Sequence, residues 1–225
     1  MKIQISGIDI EIVRKNIKTL RLKVSDGGNV VVSAPLFLSD ERIMSFVKDK
    51  IDWINFQLTK QKERKEKTQL KFINGEKVSL FGNKYLLKII LAKREKVVLL
   101  DNKEIVLLIK ETSNKEQKQR LLDNFYKQVI INKITLKLPL YERNIRLKSS
   151  SFAVRKMKTR WGSCNVKNGK ITFNSELAKY PLECLEYVIV HELCHLKYAN
   201  HKKEFWNLVE KFCPKYKCFR NMLKD

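Results

Sequence analysis

The chain has 225 residues, of which 44% are hydrophobic and 32% charged, a composition typical of a globular protein with a sizeable core. No apolar stretch reaches the roughly 18 residues of a membrane helix, and the N-terminal MKIQISGIDIEIVRK lacks a signal-peptide core, so we expect a cytoplasmic protein without a membrane partner. The net charge of +23 is compatible with an anionic partner such as nucleic acid, but 36 of the 47 basic residues are scattered lysines rather than the arginines that suit phosphate recognition.

The N-terminal half of the sequence predicts β-hairpins and one helix. Apolar and polar residues alternate over 3–12, as in strands with one buried face. A long helix is predicted over 39–66, with Ser39 as its N-cap. A second β-rich stretch, 72–110, weakly repeats the hairpin rhythm of residues 3–34, and we expect one curved, mixed sheet from the two stretches.

Beyond residue 110 the hydrophobic pattern becomes helical. Ser113 and Glu116 form a capping box ahead of a helix that is expected to end near Pro139. Strand patterns follow, with a hairpin turn at Asn168–Gly169. Another helix should then begin at Pro181, since proline is favoured at the first helical position.

This order of elements predicts an α+β fold. Residues 1–110 would form a β-rich N-terminal part that contains the long helix 39–66, and residues 111–225 a helical part with a late β-hairpin.

The chemistry-bearing motif is H-E-x-x-H, and it lies among the only three histidines of the chain. On a helix His191 and His195 stand one turn apart on one face, so both imidazoles can reach one ion, while Glu192 lies beside them to hold a water molecule. A left-handed turn at Ala199–Asn200 would return His201 as a third ligand. Three protein ligands with one open position are typical of a single catalytic Zn²⁺.

The spacing H-E-x-x-H-x5-H is also that of metzincins, which have glycine three residues after the second histidine. Tyr198 occupies that position and no Met-turn follows, which argues against a metzincin.

The run from RWGSC (160–164) through VIVHELCHLKYANHKKEFW (188–206) instead resembles the YgjP-like metallopeptidase family, related to SprT-type and other zincin domains. The resemblance implies a zincin-like catalytic part that cleaves a peptide or protein substrate. It also implies roles for four residues: zinc ligation by His191, His195 and His201, and base catalysis by Glu192.

Substrate contacts are suggested by residues 143–160, which hold seven Lys or Arg and no acid. Beside a metal, Arg160 and Lys158 could bind an anionic substrate, such as a nucleotide or nucleic acid; the alternative is one solvated strand face. The strand 170–174 could hold an extended peptide by main-chain hydrogen bonds, or could be an ordinary hairpin strand.

Three functions therefore remain open from the sequence. The first is a zinc metallopeptidase whose water is activated by Glu192. The second is a metal-dependent hydrolase of phosphate anhydrides, such as a nucleoside triphosphate pyrophosphatase, with the same site. The third is a nucleic-acid-associated metalloprotein.

Overall fold

The computed structural model describes residues 1–25 and 27–224, and the side chains of all of these except 64–68. Two compact units are present, Met1–Leu70 and Lys71–Asp225. This division reflects which residues pack together. The change of hydrophobic pattern lies later in the chain, near residue 110. A functional division into 1–110 and 111–225 stays a prediction. No helix in the described ranges is long and apolar enough to cross a membrane.

The first unit begins with a four-stranded sheet in the order β1-β2-β4-β3. Its strands are β1 (Lys2–Ile5), β2 (Ile8–Lys15), β3 (Arg21–Val24) and β4 (Val30–Pro35). The central pair, β2 and β4, is parallel, and each outer strand pairs antiparallel with its neighbour. The alternation of buried and exposed residues in β2 and β4 gives the sheet one apolar face.

Two helices complete this unit, α1 (Asp40–Asp49) and α2 (Ile51–Thr68). The sequence predicted one helix over 39–66, but the helix is interrupted at Lys50. The backbone N–H of Lys50 donates a hydrogen bond to the carbonyl of Val47. A hydrogen bond between residues three positions apart, as in a 3₁₀ helix, tightens the last turn and ends α1. Buried apolar side chains from strands and helices form the core: Ile10, Val32, Ile43, Val47 and Ile54.

The second unit opens with another four-stranded sheet, in the order β5-β6-β8-β7. Its strands are β5 (Lys77–Leu80), β6 (Asn83–Leu91), β7 (Lys96–Leu100) and β8 (Glu104–Ile109). Its central pair is again parallel, so the weak echo in the sequence reflects a repeated topology. The expectation of one mixed sheet is wrong: within the described residues each set of four strands pairs only with itself. Alternation identifies a strand and its buried face but leaves its pairing partner open.

The long helix α3 (Lys115–Ile145) differs from the sequence prediction at both ends. Its N-cap is Asn114, in a capping box, whereas the Ser113 hydroxyl donates to Glu95 at 2.6 Å. The helix also continues through Pro139, because its stripe of buried apolar residues extends past the proline. Packing of that stripe offsets the cost of proline in a helix, about 3 kcal/mol.

A three-stranded sheet follows, in the order β10-β11-β9. Its strands are β9 (Ser151–Arg155), β10 (Gly162–Asn165) and β11 (Lys170–Asn174). The predicted hairpin is confirmed: β10 and β11 are antiparallel, and Gly169 has the positive φ of 68° that the turn requires. Because β11 pairs on both sides, it is not a free edge for substrate; β10 is an edge strand.

The remaining elements are helical: a 3₁₀ helix (Ser175–Lys179), α4 (Leu182–His195), α5 (Lys203–Phe212) and α6 (Tyr216–Met222). The α+β prediction, with strands prevailing first and helices later, is confirmed.

Candidate metal centre

The helix α4 carries the H-E-x-x-H motif in its last turn. It begins at Leu182, one residue after the predicted start, because Pro181 has an extended ψ of 145° and is the N-cap. Most of its residues are buried in the second unit. Because the helical repeat places i and i+4 on one face, the rings of His191 and His195 lie with their centroids 4.8 Å apart. Both rings are half-buried, at the point where the buried helix reaches the surface.

The third histidine returns by a different turn from the one predicted. The helix ends at His195, and the amide of Tyr198 bonds the carbonyl of Cys194 at 3.0 Å. The expected left-handed conformation at Asn200 is wrong, since this residue is not among those with positive φ. The tight turn after the helix nevertheless places His201 against the other two imidazoles.

The donor atoms of the three imidazoles converge. One ring nitrogen from each of His191, His195 and His201 lies within 4.8 Å of the others. The Nε2 atoms of His191 and His201 are 3.2 Å apart. Two nitrogens that bind zinc tetrahedrally at about 2.0–2.1 Å lie about 3.3–3.4 Å apart, so this spacing fits a shared ion.

Hydrogen bonding and burial of the imidazoles favour their neutral form, in which a ring nitrogen can bind a metal. The Nδ1 of His195 lies 3.1 Å from the Tyr198 carbonyl, to which it can donate, and this leaves Nε2 as a lone-pair donor. Burial, reinforced by the neighbouring histidines, lowers the pKa of His191 to about 3. The pKa of His201 is lowered as well, first by burial and then by His195. Neutral imidazoles are the species that bind metals.

Glu192 is a buried carboxyl beside this cluster, with 4% of the residue exposed. Its Oε2 has no hydrogen-bond partner among the residues that the structure describes. Burial raises the pKa of Glu192 to about 8, and the positive charge of Arg160 opposes that rise. A buried carboxyl with an unpartnered oxygen and a raised pKa is a typical general acid or base.

Gly162 explains why Glu192 can lie where it does. A Cβ on this glycine would be 2.5 Å from Glu192 Oε1 and 2.8 Å from its Cγ. Any larger residue would therefore displace the carboxyl. RWGSC was noted as a motif from the sequence alone. The reason that it needs glycine was not predictable, because it lies in this close approach of β10 to α4.

A cavity of about 600 Å³ opens over the imidazoles and Glu192. One wall is formed by β10 and the residues just before it, and another by the C-terminal segment. Trp161 joins these walls, since its Nε1 donates to the carbonyl of Leu223 at 2.6 Å. Cys164 also lines the cavity, and burial raises its pKa to about 11, which argues against a thiolate role.

Three cations line this cavity: Arg160, Arg220 and Lys224. Arg160 was predicted from the basic segment, but the two C-terminal residues lie in no motif and the sequence alone did not indicate them. The guanidinium of Arg220 lies 4.7 Å from the centroid of the Trp206 ring, close enough for a cation–π contact.

The rest of the basic segment is divided by the fold. Lys158 is exposed and is not among the cavity-lining residues. Lys156 pairs with Asp123 at 2.8 Å and with Glu176 at 3.7 Å, so its charge is already compensated. The structure therefore brings Arg160 to the candidate site and leaves Lys158 outside the cavity wall.

Three converging imidazoles that could hold a metal ion, a neighbouring buried carboxyl and an open cavity are the arrangement expected of a metal-dependent hydrolase. The family is shown by sequence: the YgjP-like metallopeptidase domain model matches residues 18–225, and the chain belongs to this family. The resemblance found in the motifs is thereby confirmed, and the match extends well beyond them into the N-terminal strands. The chain is a hydrolase of the metallopeptidase class.

Two solved structures are similar to part of the chain. The zymogen of the metallopeptidase abylysin from Pyrococcus abyssi is 24% identical and covers 40% of this chain and 90% of its own, with a TM-score of 0.38. The jannalysin zymogen from Methanocaldococcus jannaschii is 25% identical and covers 40% and 91%, with a TM-score of 0.36. No curated protein sequence matches the chain significantly.

Proposed function

We propose that the protein is a zinc metallopeptidase in which His191, His195 and His201 bind the ion and Glu192 is the general base. The observation that carries this proposal is the convergence of three imidazole nitrogens within 4.8 Å beside a buried, unpartnered carboxylate oxygen. The donor set fits zinc, which takes neutral imidazoles in catalytic sites and leaves one position open.

The chemistry that zinc supplies when bound is Lewis acidity towards water and the scissile carbonyl. Glu192 accepts a proton at Oε2 from the attacking water and then donates it to the leaving amine nitrogen. Burial outweighs the opposing charge of Arg160 and raises the pKa of Glu192 to about 8, which favours the protonated carboxyl at neutral pH. The charge of a dication bound nearby would favour the carboxylate. Gly162 leaves the space that the carboxyl occupies, because a Cβ there would lie 2.5 Å from Glu192 Oε1.

The edge strand β10 is the best-placed element to bind the substrate backbone. Among the described strands it pairs only with β11, so its other edge can accept main-chain hydrogen bonds. The same strand lines the cavity and contacts Glu192 through Gly162. An extended peptide that adds to this edge would pass beside the imidazoles.

Hydrolysis of phosphate anhydrides is the second candidate function. The observation in its favour is the cationic lining of the cavity by Arg160, Arg220 and Lys224. Cations in a partly closed site attract phosphate groups as well as acidic peptides.

One experiment separates the two functions. Zinc-loaded protein is incubated with pooled unstructured peptides and, separately, with pooled nucleoside triphosphates. We expect new peptide termini by mass spectrometry and no release of phosphate or pyrophosphate. Phosphate release with intact peptides would instead establish the second candidate.

The Gly162→Ala variant tests the positioning of Glu192. We expect kcat for a peptide substrate to fall by up to about 100-fold, because a misplacement of about 1 Å in a catalytic group has costs of that order. The zinc content should stay at the wild-type value, since Gly162 contacts Glu192 and not a ligand. Steady-state kinetics and metal analysis measure both effects.

Gly27→Ala is the matched control. A Cβ at Gly27 would lie 3.8 Å from the nearest atom, an ordinary contact, so kcat should not change. A Gly162→Ala enzyme with wild-type kcat would show that the carboxyl position does not depend on the glycine.

A further inference from the structure

A second cavity, a groove of about 620 Å³, lies on the face of the three-stranded sheet that bears Ser163 and Thr172. Four cationic side chains and no acidic one line this groove. They are Arg155, Arg160, Lys167 and Lys170. Arg155 and Lys170 lie on strands β9 and β11, and the other two flank β10, so the sheet itself holds the charges together.

These charges lack ion-pair partners in the described part of the chain, although the charge of Arg160 also opposes the rise in the pKa of Glu192 from the catalytic side. None of the four residues forms an ion pair with a described carboxylate. The neighbouring Lys156 does form such pairs, with Asp123 and Glu176. Four cations without ion pairs to described carboxylates repel one another in one concave surface, and a bound anion would relieve that repulsion.

The groove and the catalytic cavity adjoin across β10. Both are lined by Arg160, Ser163 and Cys164. Ser163 pairs in register with Thr172 on the groove side, whereas Gly162 meets Glu192 on the catalytic side. Because successive side chains of an extended strand point to opposite faces, a peptide at the β10 edge would place alternate side chains on these two sides.

We propose that this groove is a subsite for an aspartate or glutamate of the peptide substrate, next in sequence to a residue whose side chain enters the catalytic cavity. The inference rests on the proposed peptidase function and names its substrate class. A peptide is favoured over single-stranded nucleic acid because no aromatic side chain lines the groove, and such strands are bound largely by stacking of bases on aromatic rings.

The test compares two peptides that differ only by Glu or Gln at the position next to the cleavage site. We expect wild-type kcat/KM to be higher for the Glu peptide. The Arg155→Gln/Lys170→Gln enzyme should lose about fivefold on the Glu peptide, as expected for two solvent-exposed ion pairs, and should cleave the Gln peptide at the wild-type rate. The preference should also shrink as the salt concentration rises.

The control is Lys88→Gln/Lys96→Gln, which removes the same charge from exposed positions of the second four-stranded sheet that line neither cavity. This variant should retain the wild-type preference for the Glu peptide.

The possible outcomes separate the two proposals. Equal cleavage of both peptides by the wild type would overturn the subsite and leave the peptidase standing. No cleavage of either peptide by the zinc-loaded enzyme would overturn the peptidase, and the subsite with it. Equal cleavage together with salt-dependent binding of an oligonucleotide, lost in Arg155→Gln/Lys170→Gln, would assign the groove to nucleic acid.

Discussion

The Glu192→Gln variant is expected to retain the fold and zinc binding but to lose peptide hydrolysis by about 10³-fold, as general acid–base groups contribute about 10²–10⁴-fold. The amide has nearly the shape of the carboxyl and can keep the contact with Gly162. It cannot take the proton of the attacking water, because a neutral carboxamide oxygen accepts hydrogen bonds but is far too weak a base to be protonated near neutral pH. Single-turnover cleavage of a peptide, together with zinc analysis and thermal unfolding, measures the three properties.

Folding of this variant is expected because the substitution adds no charge to a buried position. Glu192 is 4% exposed, and an amide there is neutral at every pH. Glu183→Gln is the matched control, since Glu183 lies exposed in the first turn of the same helix. Wild-type hydrolysis by Glu192→Gln would remove this residue from the mechanism, whereas loss of zinc would indicate a structural role for the carboxyl.

The part of the site that follows from helical geometry was predictable from the sequence. The i, i+4 spacing places His191 and His195 on one face of any helix, and the buried residues before them predicted that helix. The sequence correctly predicted that His201 lies beside the other two histidines, but it predicted the wrong turn before His201. Several backbone paths can return a residue over this distance, so the sequence specifies the three candidate ligands better than the path between them.

Contacts between distant segments were not predictable in the same way. The clash that a Cβ at Gly162 would make with Glu192 exists only because β10 packs against α4. Arg220 reaches the cavity from the last helix, without any motif around it. The two four-stranded sheets likewise depend on which strands pair, and periodicity within a strand carries little information about pairing.

The His201→Ala variant is expected to lower zinc affinity by more than about 100-fold, because loss of even an outer partner of a ligand lowers metal affinity by about 10–100-fold. His201 is exposed, so its removal should leave the stability of the metal-free protein nearly unchanged. Zinc should then stabilise the two proteins differently. At a zinc concentration 100 times the wild-type Kd the wild type gains about 2.7 kcal/mol, and a variant with 100-fold weaker binding gains about 0.4 kcal/mol.

Thermal unfolding with and without zinc, alongside a competitive chelator titration, measures this difference. Lys202→Ala changes the adjacent exposed residue and should respond to zinc as the wild type does. This comparison isolates metal binding from catalysis, so its result holds whatever substrate the enzyme cleaves. Equal stabilisation of His201→Ala and the wild type by zinc would exclude His201 as a ligand. The 3.2 Å between its Nε2 and that of His191 would then have to reflect a hydrogen bond, in which the N–H of one ring donates to the lone pair of the other.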